Sequence, residues 1–183
     1  MRMAPPQRRA QLIDAATAMI AATGFQGFSL AALARECDLT RPGVLHHFAS
    51  AEDLLVAVLR KRDEQDLLAL VPAQWPTNAE QARYVLHRLV ARNATQRELI
   101  RLYTVLCAEA LAPDHPAHEY FLDHQKGSHE RLRYCLRWHP RGHDLAVEVL
   151  AVFDGLQLAW LRNPTLDLVA LWDDYADRAI TSA

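Results

Sequence analysis

Apolar positions recur at helical spacing along nearly the whole chain, and no stretch alternates cleanly with a period of two. Residues 7–23 put Leu12, Ile13, Ala16, Met19 and Ile20 on one face of an amphipathic helix, which Gly24 stops. Two short helices follow, over 29–36 and 40–47, with Ser29 and Thr40 as their N-caps. Between them lies Cys37-Asp38-Leu39-Thr40, where Asp38 is a residue type that tolerates the left-handed backbone of a tight corner. Leu30, Leu33 and Ala34 share one side of the first short helix, and Leu39, Val44 and Phe48 can close over them. Ser50 then opens a long helix through about Ala69, with Asp53 approximating the second half of a capping box. Behind it, Pro72, Pro76, Pro113, Pro116, Pro140 and Pro164 divide the chain into helix-sized pieces. The predicted helices are 77–94, 96–112, 116–139, 143–162 and 166–181, with Thr77 and Asp144 as caps.

Composition supports an all-α fold. The 30 Ala and 28 Leu far outnumber the 15 Ile and Val, so strong helix formers dominate. At 51% hydrophobic and 23% charged, the 183 residues can bury a core, which excludes a disordered chain. No apolar run approaches the ~18 residues of a membrane span. The start, MRMAPPQRRAQ, lacks the apolar core of a secretory signal, so a cytoplasmic protein is expected. Cys37, Cys107 and Cys135 are odd in number and irregularly spaced, and imply neither a disulfide framework nor a zinc site.

Two short helices joined by a tight corner and braced by a longer one make a helix-turn-helix, whose second helix suits a DNA major groove. The plainer alternative is a small helical subdomain with no nucleic-acid role. Charge adds a little to the first reading: residues 1–62 carry a balance of +3, and residues 63–183 one of −5. The expected division is a helix-turn-helix domain over 1–50 and a second helical domain over 51–183, with the helix from about 51 as connector.

The string from Gly24 to Leu55, GFQGFSLAALARECDLTRPGVLHHFASAEDLL, carries further marks. Ala15-Ala16 and Gly24-Phe25 accompany the first helix, and Ser29-Leu30 precedes Leu33-Ala34. Leu39-Thr40-Arg41 opens the recognition helix, and His46-His47-Phe48 ends it before Ser50, Glu52 and Leu54-Leu55. In this order the residues resemble the DNA-binding domain of the TetR family of bacterial transcriptional regulators. The close resemblance covers about a third of the chain. The rear is similar only in layout, with Phe153-Asp154-Gly155-Leu156 and Trp160-Leu161 looking like the family's eighth helix. The chain departs from the family pattern where Pro42 and Gly43 stand for Gly-Thr, Leu45 for the usual Tyr, and Ala51 for the usual Lys. Each change leaves fewer polar groups for DNA.

The candidate DNA-binding residues are Arg8, Arg9, Ser29, Thr40, Arg41, Pro42, Gly43, Leu45, His46 and His47. Arg41 can read guanine through its fork, or else contact phosphate. Ser29 and Thr40 cap helices and can also donate to phosphate. Arg8 and Arg9 can reach a phosphate or an adjacent minor groove. The run Arg60-Lys61-Arg62 reads as a solvated face, and Asp173, Asp174 and Asp177 as solvated surface.

No glycine-rich phosphate loop, GxSxG or recognisable carboxylate pair appears, so the chain does not read as an enzyme. His115, His118, His124 and His129 invite a metal, but no HExxH or Cys/His pattern supports one, and no metal or cofactor is expected. The rear helices carry more large aromatics than one thin core needs. Tyr84, His87, Tyr103, Cys107, Phe121, Gln125, Phe153, Gln157 and Trp160 are the candidate ligand residues, with ordinary core packing as the alternative for each aromatic. The family resemblance implies a ligand chamber there whose filling repositions the DNA-binding heads. Helices 143–162 and 166–181 have apolar residues on several faces and suggest a homodimer contact through Leu145, Val149, Val152, Leu156, Trp160, Leu168, Leu171, Trp172 and Tyr175. Together these imply a repressor of palindromic operator DNA, released by an unidentified small molecule, with no membrane partner. The competing reading is a helical small-molecule- or metal-binding protein without DNA function.

Overall fold

The computed structural model describes residues 4–24, 27–70 and 74–181; Phe25 and Pro72 lie outside them. The described residues are all-α. Among the described residues nine helices run in order: α1 Pro5–Thr23, α2 Leu30–Glu36, α3 Arg41–Leu45, α4 Ala51–Leu70, α5 Ala79–Ala94, α6 Arg97–Glu109, α7 His118–Cys135, α8 Gly142–Arg162 and α9 Leu168–Ala179. None of them is long and apolar enough to cross a membrane. They form two compact units, Met1–Gln65 with Glu98–Tyr120, and Asp66–Arg97 with Phe121–Ala183. The first unit thus reaches beyond residue 50 and includes most of α4 and α6.

In the first unit, the expected faces of α1, α2 and α3 are buried: Leu12, Ala16 and Ile20 with Leu33, Ala34, Val44 and Phe48. Each short helix begins on a side-chain cap. Ser29 Oγ accepts from Ala32 N at 3.1 Å, and Thr40 Oγ1 from Gly43 N at 3.2 Å. At the corner Asp38 has φ 54°, and Leu39 N donates to Ala34 O at 2.8 Å, closing the turn that aims α3. A reciprocal cap starts α4. Asp53 N donates to Ser50 Oγ, and Ala49 N to the Asp53 carboxylate, both at 3.1 Å.

The charged run on α4 is only in part the solvated face expected of it: Arg60 is exposed, Lys61 half-buried and Arg62 buried. Lys61 is ion-paired with Asp14 of α1, Arg60 lies over the Tyr120 ring, and Arg62 is 8% exposed. Tyr120 donates to Asp63 at 2.7 Å, and burial together with that carboxylate pushes its phenol well above the ordinary range. The stretch is therefore a brace. Its cationic stems pack along the helix while their heads find partners.

In the second unit α9 packs on α5 and α8. Ala79, Ala82, Leu86 and Val90 are buried on α5, as are Leu168, Trp172 and Ala176 on α9. The cap of α5 is Asn78, not Thr77; its side chain accepts from Gln81 N at 2.9 Å, while Thr77 donates to the Gln81 side chain. Asp144 caps nothing, because α8 already starts at Gly142. A Cβ at Gly142 would fall 2.3 Å from Leu136 O, so this close turn from α7 accepts only glycine. Asp167 caps α9, accepting from Val169 N and Ala170 N at 3.0 Å each.

Candidate nucleic-acid interface

The residues of α3 divide by face. Val44 and Phe48 anchor the helix, at 0% and 1% exposure, whereas Arg41, Pro42, Leu45 and His46 are exposed. Gly43 and His47 are half-buried, and the two histidine rings meet edge to face at 5.4 Å. Arg41 and Leu45 stand one turn apart, as do Pro42 and His46, so the four make one continuous outward surface. Thr40 directly precedes it, and both Thr40 and Ser29, the cap of α2, are exposed. Each hydroxyl oxygen accepts a backbone N–H, which leaves its proton free to donate to a phosphate oxygen.

Arg8 and Arg9 stand on α1, where both are engaged within the head. Arg8 donates to Gln11 at 2.7 Å and to Cys37 O at 3.4 Å, tying α1 to the corner before α3. Arg9 lies 4.5 Å from the centre of the Phe48 ring, at the exit of α3. Burial pushes the neighbouring Cys37 thiol above its ordinary range, which keeps it protonated inside the corner. The helix-turn-helix is therefore a braced platform, with a cation and two histidines around an apolar centre. No local sequence signal indicates the Arg8–Cys37 tie, which joins residues 29 positions apart.

The candidate ligand residues lie in different settings. In the first unit Tyr103 and Cys107 are half-buried on α6. In the second, Phe121, Gln157 and Trp160 are buried, Phe153 is half-buried and Gln125 is exposed. Gln157 donates to Phe153 O at 3.4 Å. Tyr84, 63% exposed, and His87 face outward on α5. With Glu80, Arg83, Asp173, Ala176 and Asp177 they line an open cleft of about 330 Å³. His87 Nδ1 sits 2.8 Å from Asp173 Oδ1, so this histidine holds α9 to α5, and Asp173 is a partner rather than free surface.

The expected dimer stripe also divides. Leu145, Val149, Trp160, Leu168 and Trp172 are each no more than 7% exposed, consumed by packing inside the chain itself. Val152, Leu156, Leu171 and Tyr175 keep partial exposure. The most exposed apolar surface on α8 is Val147, Ala151, Gly155 and Leu158, one helical stripe on a face other than the expected Leu145–Trp160 one. A Cβ at Gly155 would meet nothing within 4 Å.

Of the metal candidates, His115 Nδ1 accepts from Ala117 N at 3.1 Å, and His118 Nδ1 is bonded to Ala110 O at 2.8 Å. Among the described residues no three His, Cys, Asp or Glu side chains converge to hold a metal ion.

The family model for bacterial regulatory proteins of the tetR family matches residues 12–58, the segment that builds the platform. No curated protein matches the chain. Among solved structures, a TetR-family member from Streptomyces coelicolor A3 is 25% identical with a TM-score of 0.69, covering 96% of this chain and 99% of that one. The multidrug binding protein EbrR, solved with imidazole, is 27% identical with a TM-score of 0.72, covering 97% and 92%. The fold is shared also with the transcriptional regulator FadR from Bacillus subtilis, solved with stearoyl-CoA, at 17% identity and a TM-score of 0.75 over 95% and 98% of the two chains. Residues 12–58 thus match the helix-turn-helix of the tetR family of bacterial regulatory proteins, and the chain as a whole shares the fold of solved TetR-family structures.

Proposed function

We propose that the protein is a ligand-responsive repressor that binds an approximately palindromic operator as a cytoplasmic homodimer and is released by a small molecule. The observation that carries the DNA reading is the exposed surface of Arg41, Pro42, Leu45 and His46 on a capped helix, braced from behind by Arg8, Arg9 and Phe48. The relatives solved with imidazole and stearoyl-CoA support a ligand-responsive role. In this chain the buried Phe121, Gln157 and Trp160 with half-buried Phe153 are the candidate ligand contacts. Tyr84 and His87 are set aside because they look outward. The second copy docks on the Val147–Leu158 stripe of α8, where small Ala151 and Gly155 let two helices approach closely.

The helix α4 continues from the first compact unit into the second, and it is the proposed lever. A ligand acts by favouring the head spacing that misfits DNA, so operator and ligand must weaken each other by the same factor. Native mass spectrometry of protein from its source gives the mass of a bound molecule. Calorimetry with that molecule then tests the coupling. Lower ligand affinity in the presence of operator supports release, and identical affinity contradicts it.

A further inference from the structure

The centre of the α3 surface is apolar. Pro42 and Leu45 are exposed there, with Arg41 on one flank and His46 on the other. Exposure of Leu45 is not forced by the fold, since Val44 and Phe48 already fill the core side of the same segment. Scattered surface leucines need no explanation. A leucine in the middle of the surface that faces the groove is different, because that position meets base edges. A leucine has no hydrogen bond to offer. The one apolar group on a base edge in the major groove is the C5-methyl of thymine.

We infer that Leu45, with Pro42 beside it, reads thymine methyl groups in each operator half-site. The inference rests on the DNA-binding reading and deepens it. Hydrogen-bonded readout falls to Arg41 at the flank, and Leu45 supplies a hydrophobic reading of the neighbouring base pairs. Deoxyuridine isolates this effect, because it keeps the O4 acceptor and the pairing of thymine but lacks the methyl.

The test begins with selection of tight-binding duplexes from a random double-stranded library by the purified full chain. Each thymine of the selected site is then replaced in turn by deoxyuridine. The expected result is one or two thymines per half-site where replacement weakens wild-type binding about fourfold, the value of ~0.8 kcal/mol for one buried methyl-sized group. Leu45→Ala should bind the thymine site more weakly than wild type and no longer distinguish thymine from uracil there. Leu45→Met should keep the distinction. Circular dichroism checks that Leu45→Ala is folded, and its exposure predicts that it is. A selected site on which thymine and uracil bind alike overturns the methyl readout alone, as does a Leu45→Ala protein that still discriminates. A library that yields no preferred sequence overturns specific DNA binding itself, and the methyl readout with it.

Discussion

The Arg97 guanidinium lies 4.5 Å from the centre of the Trp160 ring and donates to Trp160 O and Leu161 O, each at 3.0 Å. These carbonyls belong to the last turn of α8, which has no further turn to bond them. One side chain thus closes the helix end electrostatically and covers its terminal aromatic. Arg97→Ala should cost about 2 kcal/mol, from charged hydrogen bonds and the ring contact together. Arg97→Lys should recover part of that loss, since an ammonium keeps charge but not the planar fork. Urea denaturation of the three proteins measures it, and equal midpoints for wild type and Arg97→Ala would refute the assignment.

Arg41 separates base reading from phosphate binding. Arg41→Ala should weaken binding to the selected operator about 5- to 150-fold, the value of ~1–3 kcal/mol for a bidentate guanine contact, and leave random DNA little changed. Titration of both duplexes at one salt concentration gives the ratio. Equal losses on the two would make Arg41 a phosphate contact.

The outward stripe of α8 makes dimerisation testable without opening the core. Leu158 is 37% exposed, so Leu158→Glu should fold with unchanged helix content yet place a charge in the proposed contact. Sedimentation at micromolar concentration should show monomers with weak operator binding. Trp172→Glu serves poorly as a probe, since a side chain 1% exposed would unfold its own unit. A Leu158→Glu protein that stays dimeric would put the interface elsewhere.

Burial pushes the Cys135 thiol up to about 12. The folded state therefore holds this proton more tightly than the unfolded chain, where a thiol releases it near pH 8.5. The associated stability is fully present below about pH 8.5. It falls by about 1.4 kcal/mol per pH unit as pH rises toward 12. Denaturation midpoints of wild type and Cys135→Ala, compared between about pH 8 and 10.5, should converge as the wild type loses this advantage. A constant difference across that range would contradict the shift.

How much of this was legible in the chain depends on the distance over which each feature is decided. Ser29, Thr40, Ser50 and Asp53 cap helices within four residues of themselves, and the sequence reading places all of them. Thr77 and Asn78 are adjacent residues of capping type that both bond Gln81, and only the direction of those bonds shows that Asn78 holds the helix end. The start of α8 is set by the approach of Gly142 to Leu136 O, a contact between turns that hydrophobic spacing does not register. Long-range pairs were hidden altogether. Lys61–Asp14 joins residues 47 apart and His87–Asp173 residues 86 apart, so neither partner is indicated locally, whereas Asp174 and Asp177 are exposed as expected. On α8, apolar residues on several faces signalled both core and surface. Periodicity puts Val149 and Val147 on different faces, but does not show that the Val149 face is the one packed inside the chain and the Val147 face the one left exposed.

The central claim is sequence-specific recognition of DNA by the surface of α3. Its most direct test is a mobility-shift titration of the purified full chain against the operator selected from a random library and a scrambled duplex of equal length, at one fixed salt concentration. Binding to the selected duplex should be at least ~10³-fold tighter. Equal affinity for the two duplexes, falling in parallel as salt is raised, would leave only non-specific attraction to phosphate and contradict it.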